Sequence, residues 1–167
     1  MSDVRRTGYL TALIVFAADQ ALKYLVVERL ALPARGQIEL LPIFDLTWVK
    51  NYGISLGLFT AASESQRWIL VGVTAVVALG VAVWLWRERV RSDVIALGMV
   101  LGGALGNILD RVRLGYVADF LDLHIGSFRP FLVFNVADAA ITIGVLILLL
   151  RAFFVRETDA PAEKKNA

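Results

Sequence analysis

Two aspartates, Asp119 and Asp138, sit in otherwise apolar stretches, Val117-Ala118-Asp119-Phe120 and Phe134-Asn135-Val136-Ala137-Asp138. A carboxylate next to hydrocarbon is costly, so one retained there points to function by default. Two that meet can share a single proton, because like charges a few ångströms apart do not both ionise easily, and such a pair can activate a water molecule. The chemistry implied is direct attack of water on a carbonyl between paired aspartates. Asp119 falls between two apolar segments, so the chain must fold back to bring it to Asp138. The apolar neighbours Tyr116, Val117, Phe120 and Leu121 indicate that this segment re-enters the protein.

Other polar groups recur near the same level. Asn135, Asp138 and Thr142 fall at i, i+3 and i+7 of an apolar run reaching Leu150, which places them on one helical face directed into a bundle. Asp19 and Lys23 are spaced i, i+4 with the acid first, the favoured order for an ion pair, and Gln20 adds an amide. Gly98, Gly102 and Gly106 recur every fourth residue, a small-residue face that admits close helix contact. Asn107, Asp110 and Arg111 follow it, either as a functional cluster or as a polar helix end with a local Asp–Arg pair. His124, the single histidine, with Asp119, Asp122 and Asp138 is a weak candidate for a metal site, since no His-Glu-x-x-His pattern is present. Ser55 with Lys50 or Lys23 as base is the alternative covalent chemistry.

The elements that must position these groups are membrane helices. At 167 residues, 58% hydrophobic and 19% charged, with a mean hydropathy of +0.69, the chain is too apolar for a soluble domain of its size. Residues 9–26, 68–86, 94–109 and 133–154 approach the ~20 residues that ~30 Å of hydrocarbon requires. The third is short and is expected to extend past its polar end. Arg5 and Arg6 before an apolar run resemble a signal peptide, but Asp19, Gln20 and Lys23 interrupt it, which favours a retained first helix. Together these make residues 1–156 a single polytopic domain and 157–167 a polar tail.

Arg87, Arg89 and Arg91 crowd the second loop, and Arg151, Arg156, Lys164 and Lys165 lie at and beyond the end of the last span, which places both termini in the cytoplasm. The formal net charge of +2 then reflects topology and anionic lipid rather than nucleic acid. The absence of cysteine excludes disulfides and thiolate catalysis. In the long first loop, residues 27–67, the strand formers Ile43-Phe44-Asp45-Leu46-Thr47-Trp48-Val49 predict a small sheet, and Ala61 to Arg67 predict a polar helical turn leading into the second span. The fold class is an all-α membrane protein: four transmembrane helices with a small extracytoplasmic β-sheet in the first loop. On residues alone three functions remain open: an enzyme, a small proton-coupled transporter subunit, and a scaffold binding partner helices through its glycine face.

Five blocks carry a family resemblance: Asp19-Gln20-x-x-Lys23; Asn51-x-Gly53; Gly102-Gly103-Ala104-Leu105-Gly106-Asn107-x-x-Asp110-Arg111; Val117-x-Asp119-Phe120; and Phe134-Asn135-x-Ala137-Asp138. In this order and spacing the chain resembles prolipoprotein signal peptidase, also called signal peptidase II or lipoprotein signal peptidase. The resemblance implies an aspartic endopeptidase of the bacterial inner membrane, active near the outer face, that removes signal peptides from prolipoproteins before a diacylglyceryl-modified cysteine. It implies Asp119 and Asp138 as the catalytic pair. Asp19, Lys23, Asn51, Gly103, Asn107, Arg111 and Asn135 would bind substrate or support the pair. No metal or other cofactor is expected, and the partners are the lipidated precursor and membrane lipid, met by a monomer. Ile54-Ser55-Leu56-Gly57 departs from the small-residue pair and phenylalanine that the family often carries after the glycine.

Overall fold

The computed structural model describes residues 3–53 and 64–154. Ser55 and its neighbours, the start of the turn predicted over Ala61 to Arg67, and the polar tail lie outside the described residues. Among the described residues, four helices are long and apolar enough to cross a membrane. They are α1 (Asp3–Tyr24), continued by a π-helical turn (Leu25–Arg29), then α3 (Glu64–Arg87), α4 (Arg91–Leu114) and α5 (Val136–Phe154). Helix α1 and its π turn run well past both ends of the predicted first span, and α4 continues beyond residue 109 through its polar end. A short helix α2 (Leu32–Arg35) leads into the strands β1 (Gln37–Leu41) and β2 (Phe44–Asn51).

The sheet is larger than a first-loop hairpin. A third strand, β3 (Val117–Leu123), follows α4 and pairs antiparallel with β2, giving the order β1-β2-β3. Thus the segment carrying Asp119 re-enters as a strand, with Val49 paired to Asp119 and Asn51 to Val117. Gly115 makes the turn possible: it ends α4 in the left-handed region at φ 85°, and its N–H donates to Arg111 O. Val26, Leu32, Leu46 and Phe120 bury a second small core that fastens the sheet to the end of α1, with Val136 of α5 packed against it.

Helix α4 is the centre of the bundle. Its glycines let two neighbours reach backbone contact: a Cβ at Gly98 would collide with Gly8 O and one at Gly102 with Ala12 O, both on α1. On an adjoining face, a Cβ at Gly103 would lie 2.5 Å from Ala137 O, and Gly144 of α5 approaches Ala96 O in the same way. Gly103 is therefore a packing residue between α4 and α5. Helix α3 packs on α4 through Ala78 and Leu85, while Ile69, Val76 and Leu79 are exposed. It presents an apolar surface suited to lipid.

These contacts separate glycines that look alike in the sequence. Gly102→Val should destabilise the protein by roughly 1–3 kcal/mol through overpacking against α1. Gly72→Ala, where an added Cβ meets nothing within 4 Å, should be neutral or stabilising by up to about 1 kcal/mol. Thermal unfolding in one detergent compares the two directly.

Candidate active site

Asp119 enters from β3 with 1% of its surface exposed. The chain after β3 loops back and pairs again with it: Phe134 N donates to Leu121 O at 3.0 Å, and Leu121 N to Phe134 O at 2.8 Å. This places Asn135 beside Asp119, and Asn135 Nδ2 donates to Asp119 Oδ1 at 2.6 Å. Two outer clusters hold the returning loop. Arg129 Nε donates to both oxygens of Asp122 at 3.1 and 3.2 Å, and His124 Nε2 lies 2.9 Å from Asp45 Oδ2. Burial pushes the Asp122 carboxyl up, but the bonds from Arg129 and Thr47 and the charge of Arg129 outweigh it, leaving the group below its ordinary range.

Asn135 is not inside a helix, as the i, i+3, i+7 face implied. It precedes Val136 as the cap of α5, and Asp138 is in the first turn. Asp138 N donates to Asn135 Oδ1 at 2.9 Å, while Asn135 N donates to Asp138 Oδ2 at 3.3 Å. This is a reciprocal capping box built from Asn-x-x-Asp. The spacing of Asn135 and Asp138 fits a helix face as well as a helix start, and the backbone decides for the start. Thr142, one turn further along, is exposed and does not join the cluster.

The two aspartates are linked through amides. Asn135 Nδ2 donates to Asn107 Oδ1 at 3.2 Å as well as to Asp119, and Asn107 Nδ2 donates to Asp138 Oδ1 at 2.8 Å. Asn51, at the end of β2, completes the Asp119 side: its Nδ2 donates to Asp119 Oδ2 at 2.9 Å, and its Oδ1 accepts from Gly53 N at 2.8 Å. Burial pushes the Asp119 carboxyl up to about 6; the Asn51 bond opposes it, the Asp138 charge adds to it, and Asn135 and the Lys23 charge oppose it. Asp119 therefore ionises only well above the ordinary carboxylate range.

Behind the amides lies an ion cluster. Lys23 Nζ is 2.8 Å from Asp19 Oδ2 and 2.8 Å from Asp110 Oδ2, and 3.4 Å from Asn107 Oδ1. Asp110 thus pairs with α1 rather than locally with Arg111. Arg111 Nη1 donates to Asn107 O at 3.4 Å, its buried Nε has no partner among the described residues, and its guanidinium senses the charges of Asp138, Asp119 and Asp110.

The structure therefore gathers Asp19, Lys23, Asn51, Asn107, Arg111 and Asn135 around Asp119 and Asp138, and assigns Gly103 to packing. The metal alternative scatters, since His124 pairs with Asp45 and Asp122 with Arg129. Among the described residues no group of three or more His, Asp or Glu side chains is arranged to hold a metal ion. Lys23 is committed to two carboxylates, and Lys50 lies over the Tyr116 ring at 5.2 Å. Asp110 and the backbone N–H groups of Ala118 and Ala137 belong to the site's framework; the motif contained Asp110, but only the fold reveals its partners.

Comparison with known proteins agrees with this geometry. Residues 11–154 match the family described as signal peptidase (SPase) II. A lipoprotein signal peptidase of Rhizorhabdus wittichii is 58% identical over 98% of this chain and 95% of its own. One of Sphingopyxis alaskensis is 54% identical over 98% and 95%. A bacterial membrane enzyme solved by the in meso method superposes with a TM-score of 0.78 at 26% identity, covering 95% of this chain and 94% of that one. A second such structure gives 0.74 at 27%, covering 87% and 92%. These matches give no support to a transporter. The four apolar helices and the small sheet are therefore those of a membrane peptidase, and the chain belongs to the signal peptidase II family.

Proposed function

We propose that Asp119 and Asp138 are the catalytic pair of an endopeptidase that removes signal peptides from diacylglyceryl-modified prolipoproteins, cutting before the lipidated cysteine. The observation that carries this reading is the hydrogen-bonded chain Asp119–Asn135–Asn107–Asp138. It couples two carboxylates through neutral groups that fix their orientation without adding charge. Family membership supplies the substrate class; the residues supply the mechanism.

One carboxylate, ionised, takes a proton from a bound water, while its protonated partner donates a hydrogen bond to the scissile carbonyl. The upward shift of Asp119 suits it to hold the shared proton. Water attacks the carbonyl carbon directly, and the proton passes to the leaving amine as the carbon–nitrogen bond breaks. Arg111, whose buried Nε has no hydrogen-bond partner among the described residues, is placed to orient the substrate backbone, and Asn51 holds Asp119. Asp19, Lys23, Asn107 and Asn135 hold the pair itself.

The same reading places the protein in a bacterial inner membrane as a monomer with both termini cytoplasmic and the sheet outside. Arg87, Arg89 and Arg91 in the loop between α3 and α4 support that orientation. A site where helices meet a sheet suits a substrate whose acyl chains stay in lipid while its peptide bond meets water.

Purified protein should cleave a diacylglyceryl-modified precursor and leave the unmodified precursor intact, as followed by gel shift and mass spectrometry. Equal cleavage of both would refute the lipid requirement, and cleavage of neither would refute the proposed function. Stability should also depend on pH through Asp119. Its native carboxyl binds a proton more tightly than the ordinary value of 3.8, up to about 6, so the folded state holds more protons than the unfolded one between those values. Stability should therefore fall as pH rises through that window, by on the order of 2–3 kcal/mol. Asp119→Asn should abolish that fall in thermal unfolding at pH 4 and pH 7; an unchanged dependence would contradict the assignment.

A further inference from the structure

The catalytic pair stands against a buried charge cluster whose members never reach the reacting atoms. Lys23, Asp19 and Asp110 have side chains 6%, 0% and 4% exposed, with the ammonium 2.8 Å from one oxygen of each acid. Gln20 closes the group, its Nε2 donating to Asp19 Oδ2 at 3.0 Å and Asp110 Oδ1 at 3.2 Å. Each charged member extends to a position adjoining the pair. Asp110 Oδ2 accepts from Ala118 N at 3.1 Å, next to Asp119. Asp19 Oδ1 accepts from Ala137 N at 3.0 Å, next to Asp138. Lys23 reaches Asn107, which donates to Asp138.

We propose that the Asp19–Lys23–Asp110 triad is a positioning unit whose net charge sets the pH range in which the catalytic pair works, with Asp110 holding the Asp119 side and Asp19 the Asp138 side. The inference rests on the catalytic reading given above. Two independent contacts hold the backbone beside the two reactive carboxylates, and both come from acids locked by one ammonium. Moving either acid would shift the residue next to a catalytic aspartate. The charges acting on Asp119 are those of Asp138 from α5, Lys23 from α1 and Arg111 from α4, while Asp110 of α4 binds the adjoining Ala118 N–H. From β2 Asp119 meets the neutral amide of Asn51, Lys50 lying over Tyr116.

The triad sets one ammonium against two carboxylates, one net negative charge. Asp110→Asn removes a negative charge while its amide oxygen still accepts the Ala118 N–H. The pair then gives up protons more readily, and both limbs of the pH–kcat profile should move to lower pH. Lys23→Met removes the positive charge and should move both limbs to higher pH. The double variant restores the net charge and should return the limbs toward the wild type. Shifts of about one pH unit are expected for a unit charge acting across the interior, with KM changed less than about twofold.

The test is the pH dependence of kcat and KM for a diacylglyceryl-modified precursor, with wild type, Asp110→Asn, Lys23→Met and the double variant. Opposite shifts that cancel in the double variant would support the proposal. Unmoved limbs, or limbs moving the same way, would overturn it, because a merely structural role lowers activity at every pH. If Lys23→Met does not fold, Asp110→Asn against the double variant gives the same sign. Failure of both of those to fold would also overturn it, leaving the triad a folding element. A wild-type protein that cleaves nothing would instead remove the catalytic reading beneath it.

Discussion

An ammonium buried among helices needs carboxylates close by, and that requirement organises this molecule. Lys23 finds one partner on its own helix and one on α4. Removing one partner of such a pair leaves an uncompensated buried charge, at about 3–5 kcal/mol. The two helices must therefore lie nearly in backbone contact. The small-residue face of α4 provides this, and at Gly106 an added Cβ would lie 2.5 Å from Asp19 Oδ2. The packing glycines and the buried charge are one device.

From that cluster, order passes outward to both aspartates of the proposed pair. The N-terminus of α5 would otherwise leave N–H donors unsatisfied in the protein interior. Asn135 and Asp138 satisfy two of them reciprocally, and Asp19 satisfies a third from another helix. Negative charge is also favoured at this end of a helix by its dipole. Asp138 thus serves as a structural cap and as one half of the site. Asp119, by contrast, is carried by a strand whose first residues are anchored to Asp110, so its position depends on the sheet and the bundle together.

What the sequence revealed was governed by local rules. Helical spacing exposed the Asp19–Lys23 pair and the glycine stripe, and apolar runs exposed the four spans. The polar triplet Asn107, Asp110 and Arg111 was visible as a cluster, but not the partners of each member. Long-range pairing was hidden: the strand over Val117–Leu123 has no alternating pattern because nearly every residue in it is buried. For the same reason the sequence predicts a sheet only in the first loop, and β3 is visible only in the fold. The face drawn through Asn135, Asp138 and Thr142 assumed a continuous helix, whereas the chain begins α5 at Val136. A capping residue and a helix-face residue have the same i, i+3 spacing, so only the backbone distinguishes them.

In the mechanism proposed above, the carboxyls of Asp119 and Asp138 perform the hydrolysis together. The most direct measurement is the rate at which folded Asp119→Asn and Asp138→Asn variants cleave a diacylglyceryl-modified precursor under single-turnover conditions. An amide preserves the shape of each group but cannot exchange the proton, so each variant should lose at least about 10³-fold in rate while its helical content stays unchanged. Turnover within tenfold of the wild type by either variant would contradict the account.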